Sequence, residues 1–177
     1  MNAYFWCLSN MYKDCKMKTW LGILFLFWLI IGLTSFKIEV DIHFLVEQTQ
    51  MKLNSLFNNN DELGKLKEYE ILVTDNGFIR YRKIFPTGKQ EYYSFNLLRL
   101  NSIGYLGNST EGTLQLKTIT ADVIIQTYNN PKGNIDSMAS QFDLPLKSAE
   151  PEDLVQIQGN LFEIKRLLQR KYQAKKL

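Results

Sequence analysis

Glu68-Tyr69-Glu70-Ile71-Leu72-Val73-Thr74-Asp75-Asn76-Gly77-Phe78-Ile79-Arg80-Tyr81-Arg82-Lys83-Ile84-Phe85-Pro86-Thr87-Gly88-Lys89-Gln90-Glu91-Tyr92-Tyr93-Ser94-Phe95 decides the fold class of this chain. Tyr69, Ile71 and Val73 alternate with Glu70, Leu72 and Thr74, the period of two that marks a strand. Asp75-Asn76-Gly77 is the strongest short hairpin signal in the sequence, because Asn-Gly supplies the positive φ angles of a type I′ turn. Residues 78–85 read as the return strand. Pro86-Thr87-Gly88-Lys89 makes a second turn, and residues 90–95 form a third strand. The stretch predicts an antiparallel meander.

Downstream, residues 96–106 read as a short strand or a turn of helix followed by another strand. A loop at 107–112 comes next. Residues 113–119 and 123–128 are rich in β-branched side chains, as strands prefer. They predict a hairpin across Thr120-Ala121-Asp122. Residues 129–134 form a turn-rich loop, and 135–147 receive no firm assignment. Glu150-Pro151-Glu152-Asp153 then places proline and acids where the first turn of a helix wants them. Leu154, Ile157, Leu161, Ile164 and Leu168 follow at spacings of three and four, one apolar stripe expected to pack on the sheet.

Upstream, residues 19–36 hold no charged side chain. As a helix at about 1.5 Å per residue they would span about 27 Å, close to the hydrocarbon thickness of a bilayer. They are read as a transmembrane anchor. Lys13, Lys16 and Lys18 precede the run, and the positive-inside rule then puts the N-terminus in the cytoplasm and the domain outside. Met17 is a second candidate start, and beginning there nearly removes that asymmetry. A cleaved signal peptide, giving a secreted protein, is the rival reading. The apolar run is long for it, and no A-x-A-like site follows. Residues 36–44 alternate with period two, yet Leu45, Val46, Thr49, Leu53, Leu56 and Phe57 continue at helical spacing. One amphipathic helix from the membrane to about Leu56 is expected, with a strand as the alternative. The organisation is therefore a leader at 1–18, an anchor at 19–36, an amphipathic segment and connector at 37–67, and a β-rich domain at 68–173 with its C-terminal helix at 151–173. The fold class is α+β.

The chain of 177 residues is 45% hydrophobic and 22% charged, an ordinary globular composition with room for one core beyond the anchor. A formal charge of +3 does not point to nucleic acid. Cys7 and Cys15 both precede the apolar run, so the domain has no thiol chemistry. With His43 as the sole histidine, no His/Cys metal site assembles and no triad is well placed. No G-x-G-x-x-G or Walker motif occurs. The acid pairs Glu68/Glu70 and Glu152/Asp153 read as solvated surface. Asn108-Ser109-Thr110 matches a glycosylation acceptor, a triplet common by chance. No catalytic residue, metal or cofactor is assigned, and the chain is not expected to be an enzyme.

Arg80, Arg82, Lys83 and Lys89 lie on or beside one hairpin, with Arg80 and Arg82 on one face by strand alternation. They form the first candidate contact patch, for an acidic protein partner or for anionic lipid head groups. The loop carrying Asn130, Lys132 and Asn134 is the second.

The order of a meander, further short strands and one C-terminal amphipathic helix resembles the pleckstrin-homology-like superfold, including its bacterial membrane-tethered members. The resemblance covers residues 68–172. It rests on that order and on Asp-Asn-Gly-Phe-Ile-Arg-Tyr-Arg at 75–82, Tyr-Ser-Phe-Asn-Leu-Leu-Arg-Leu at 93–100 and Gly-Thr-Leu-Gln-Leu-Lys-Thr at 112–118. It implies a partly open barrel closed by the helix. The expected function is binding or assembly, as an accessory subunit or scaffold of a membrane or envelope complex.

If the apolar run is an anchor, the full chain stays in the membrane pellet after alkaline carbonate extraction and retains residues upstream of Phe36. A soluble mature chain beginning beyond Phe36 would contradict this.

Overall fold

A carboxylate opens the first helix. Asp41 is extended (φ −69°, ψ 127°), and its side chain accepts the His43 backbone N–H at 3.0 Å. That satisfies one of the donors a helix start leaves unpaired. Helix α1 runs Ile42–Leu56. The computed structural model describes residues 41–61 and 64–175. The leader and the expected anchor at 19–36 lie outside the described residues. Among the described residues no helix is long and apolar enough to cross a membrane. The single helix expected to run unbroken from the membrane to Leu56 is corrected here. The extended, capping Asp41 sets the start of α1 at Ile42.

The rest of the chain is antiparallel β followed by one helix. Its strands are β1 (Asn60–Asp61), β2 (Gly64–Lys65), β3 (Glu68–Val73), β4 (Phe78–Ile84), β5 (Gln90–Asn96), β6 (Leu100–Gly107), β7 (Glu111–Thr118), β8 (Val123–Tyr128), β9 (Asp136–Ala139) and β10 (Gln141–Lys147). A 3-10 turn, Leu97–Arg99, separates β5 from β6, and helix α2 (Pro151–Ala174) ends the unit. Strands β1 and β2 form a small hairpin of their own. The others form a five-stranded sheet, β3-β4-β5-β8-β9, and a three-stranded sheet, β10-β7-β6. The α+β class and the C-terminal helix are as expected.

Both turns of the meander use a glycine, and at the first the geometry differs from the type I′ turn the sequence predicts. Gly77 N–H bonds Thr74 O at 2.8 Å, Thr74 N–H bonds Phe78 O at 3.0 Å, and Gly77 has φ 82°. Asn76 does not have positive φ, so this is a three-residue loop with glycine in the left-handed position rather than a type I′ turn. The turn at Gly88 (φ 83°) repeats the pattern from Phe85 to Lys89. A Cβ on Gly77 would also lie 2.3 Å from Leu168 Cδ1 of α2, so helix packing adds a second demand for glycine.

The expected hairpin between 113–119 and 123–128 does not form. Strand β7 pairs with β6 and β10, whereas β8 pairs with β5 and β9. The four residues between them, Ile119 to Asp122, turn a corner from one sheet to the other. Arg99 holds that corner, through Asp122 Oδ1 at 2.9 Å and Thr120 Oγ1 at 3.1 Å. The unassigned segment 135–147 supplies β9 and β10.

The core lies between the sheets. Phe142 of β10 meets Phe95, Tyr81 and Tyr93 at centroid distances of 5.4, 6.4 and 6.5 Å. Phe57, just past α1, reaches Tyr69 and Tyr81 at 4.1 and 5.5 Å. The predicted stripe of α2 is buried at Ile157, Leu161, Ile164 and Leu168. Leu45, Val46, Leu53 and Leu56 of α1 join the same core. Residues 41–56, which the sequence places in the connector, therefore belong to the folded unit. Lys52–Asp153 (2.8 Å) and Asn160–Gln48 (3.1 Å) tie the two helices together.

Helix α1 also shields a sheet edge. Gln50 Oε1 accepts the Val73 N–H at 3.1 Å, and Asn54 donates to Ile71 O at 3.4 Å. These side chains stand where a neighbouring strand would, which blunts the β3 edge. On β10, Asn58 N–H takes the Pro145 carbonyl at 3.0 Å beside a bridge from Phe57 to Leu146.

Phe142→Ala is expected to cost about 3–5 kcal/mol in denaturant unfolding of the full chain. Gln50→Ala, which leaves one edge N–H unpaired, is expected to cost about 1 kcal/mol. Equal losses would place the core elsewhere.

Candidate functional site

Strand register sets which side chains share the outer face of the five-stranded sheet. One row runs Glu70, Arg82, Tyr92, Gln126 and Asp136, each opposite the next across β3, β4, β5, β8 and β9. The row beside it holds Glu68, Ile84, Gln90 and Tyr128. On the other side run Leu72, Arg80, Ser94, Ile124 and Met138. Side chains alternate along a strand, so Tyr81, Tyr93 and Phe95 point the other way, into the core.

The outer face holds an open hollow of about 370 Å³ lined by Glu70, Arg82, Gln90, Tyr92, Gln126 and Tyr128. Its chemistry is mixed: one carboxylate, one guanidinium, two primary amides and two phenols. Arg82 Nε lies 3.5 Å from Glu70 Oε2, an ion-pair distance at which no hydrogen bond is made. The two formal charges in the lining offset each other, while the amides and phenols offer both donors and acceptors. Tyr128 OH donates to Gln126 Oε1 at 3.2 Å.

The basic hairpin does not present one patch. Arg80 and Arg82 sit on the outer face, and Arg80 lies over the Phe78 ring, with Cζ 5.6 Å from its centroid. Lys83 has the opposite parity and points to the core side. There it lies 3.7 Å from Glu91, with its Nζ 5.5 and 5.6 Å from the Tyr81 and Tyr93 ring centroids. Lys89 Nζ reaches Glu91 Oε1 at 2.6 Å, and Tyr93 OH donates to Glu91 Oε2 at 2.9 Å. Four cations expected together are thus split in pairs between two faces of one sheet.

Glu91 is a half-buried carboxylate held by those groups. Burial pushes its pKa up, but the hydrogen bonds from Lys89 and Tyr93 and the charges of Lys83 and Lys89 outweigh it, leaving a net lowering. His43, the lone histidine, is exposed and bridges α1 to the β3–β4 turn, 3.2 Å from Asp75 and 3.3 Å from Glu47. The Asp75 hydrogen bond and charge hold its pKa above the ordinary value. Among the described residues no group of three or more His, Cys, Asp or Glu side chains is placed to hold a metal ion.

The loop proposed as a second contact is closed on itself. Asn130 Oδ1 accepts the Lys132 N–H at 3.2 Å, and Asn134 Oδ1 accepts the Asn130 N–H at 3.2 Å. Asn129 Nδ2 reaches Gly88 O at 3.4 Å, so the loop stands beside the β4–β5 turn, directly after Tyr128. Lys132 and Asn134 are exposed at that end of the outer face.

Sequence reasoning finds Arg82 but misses Glu70, Gln90, Gln126 and Tyr128 as its companions. Alternation alone puts Glu70 and Arg82 on equivalent positions of paired strands. Nothing local says that β8 lies against β5, which is what brings Gln126 and Tyr128 in.

No family model, curated protein or solved structure matches this chain.

Because the Glu91 pKa is lowered on folding, its contribution to stability is present above its unfolded pKa and is lost as pH falls through the folded one. Lys89→Met removes the main lowering contact. It is expected to move the acid-unfolding midpoint to higher pH, read by intrinsic fluorescence. An unchanged midpoint would show that the Lys89 contact is not formed in solution.

Proposed function

We propose that this chain is a single-pass membrane-anchored binding and assembly protein, an accessory subunit or scaffold of a membrane or envelope complex. Its outer sheet face takes a protein partner. The observation that carries this is the hollow of Glu70, Arg82, Gln90, Tyr92, Gln126 and Tyr128, open to solvent and mixed in chemistry. Mixed polar and aromatic surfaces with a paired arginine suit a protein interface, where tyrosine and arginine supply most binding energy. An anionic lipid head group needs converging cations, and here Lys83 and Lys89 face away from Arg80 and Arg82.

The anchor reading rests on the charge-free run at 19–36. With Lys13, Lys16 and Lys18 ahead of the run, the positive-inside rule sets the N-terminus in the cytoplasm and the domain outside, and a tether raises the effective concentration of the domain near membrane partners. The pleckstrin-homology-like superfold is the proposed class of the folded unit, supported by two antiparallel sheets followed by a C-terminal helix. The placement of β8 beside β5 and the helix α1 ahead of the meander go beyond the element order from which that resemblance is drawn.

A photo-crosslinking residue in place of Gln126 in the full chain, irradiated in native membranes, is expected to capture a discrete protein. The same residue at Lys147, exposed on the other sheet, serves as control. Arg82→Glu in the Gln126 background is expected to reduce the yield about tenfold, a loss of about 1.4 kcal/mol. Capture of lipid alone, or a pattern identical to the Lys147 control, overturns the reading.

A further inference from the structure

Three of the four outer sheet edges carry a recognisable protection. Gln50 and Asn54 cover part of β3, and the chain at Phe57 and Asn58 covers part of β10. Strand β9 is four residues long and carries Asp136. Strand β6 is covered only at its first residue, where Lys165 Nζ of α2 donates to Leu100 O at 2.5 Å, and the run from Ser102 onward has no such cover among the described residues. The strand spans eight residues, Leu100–Gly107, with no charge and no proline, and pairs only with β7 among the described residues. Leu106 is 67% exposed. Natural edges of this length are usually blunted by a lysine, a proline or a cover. The register shift between Leu100 and Ser102 leaves the run from Ser102 to Gly107 regular.

The hydrogen-bond phase of that run follows from its hairpin. Asn108 N–H bonds Glu111 O at 3.0 Å. In an antiparallel ladder, bonded and non-bonded pairs alternate, so Leu106/Thr113 and Gly104/Gln115 are the bonded pairs. On the far side of β7, Thr118 N–H bonds Ser140 O at 2.9 Å, the complementary half of the same alternation. Ile103 and Tyr105 therefore aim their backbone N–H and C=O groups away from β7. Their side chains pack only partly against the core.

We propose that β6 pairs antiparallel with β6 of a second copy about a two-fold axis through Gly104, joining two three-stranded sheets into one of six strands. In that register Ile103 of each copy lies opposite Tyr105 of the other, and the outward N–H and C=O groups of Ile103 and Tyr105 are satisfied in each copy. The Ile–Tyr pairs are the aromatic and β-branched neighbours that stabilise sheets. Gly104 meets Gly104 at a non-bonded position, where backbones approach to about 4.5 Å and the absence of a Cβ helps. With no charge on the strand, self-pairing opposes no like charges. The interface is isologous and closes at two copies.

A Cβ on Gly104 would have one neighbour within 4 Å, Gln115 Oε1 at 3.9 Å, so a larger side chain fits the single chain. The test is sedimentation of the full chain in mild detergent. Wild type is expected to be a dimer. Gly104→Lys and Gly104→Glu, each with an unchanged circular-dichroism melt, are expected to weaken dimerisation at least about tenfold. Mixing the two variants in equal amounts is expected to restore the dimer through opposite charges on the axis. A monomeric wild type overturns the proposal and leaves the edge to a strand of another protein. So does a dimer indifferent to both variants, as association through the apolar run would give, or a mixture that stays monomeric.

Discussion

Burial of Phe142 between the two sheets is the constraint on which the rest of the molecule depends. Its ring touches side chains from β4 and β5 while its backbone sits in the other sheet. The inner face of the meander, Ile71, Val73, Ile79, Tyr81 and Phe95, is thereby committed to the core. A strand commits alternate residues, so the outer face is fixed in the same act: Glu70, Arg82, Tyr92 and Gln126 have no other place to go. A slip of one residue in β4 would put both arginines into the core, at a cost far above any local turn preference.

The order in which the chain visits the sheets follows from the same demand. It leaves the five-stranded sheet after β5, lays down β6 and β7, and returns at β8 through a corner pinned by Arg99, Thr120 and Asp122. It then crosses again to deliver β10 and Phe142. Each crossing binds the sheets covalently at an end, while the aromatic cluster fills the middle. Helices α1 and α2 close the unit with their apolar stripes, and α1 supplies the side chains that quiet the β3 edge. This arrangement leaves one mixed polar sheet face and one long uncharged edge outside the core.

The separation of the cations is instructive. Lys83, Arg80 and Arg82 are close in sequence, but parity sends Lys83 to the far side. There it and Lys89 flank Glu91 at the margin of the core. Parity was available from the sequence for Arg80, Arg82 and Lys83. The position of Lys89, after the turn, depends on the register of β5. The companions of Arg82 in the hollow were out of reach for another reason. Gln126 and Tyr128 arrive from a strand separated from β5 by two others and packed beside it only in the folded chain.

Local chemistry by itself accounts for the strands of the meander, the glycine at each of its turns, the 151–174 helix with its proline and acids at the start, and the apolar stripe along it. Those features depend on φ preferences, capping and periodicity within a few residues, and such terms are readable in order along a chain. Strand neighbours are a different kind of quantity. Residues 113–128 look like a hairpin because both segments are good strands with a short link. The backbone groups of β7 and β8 nevertheless find partners in opposite sheets, since that lets Phe142 fill the space between them. The choice is made by the summed burial of side chains far apart in sequence, and with it came the make-up of the hollow, the exposure of β6 and the separation of the four cations.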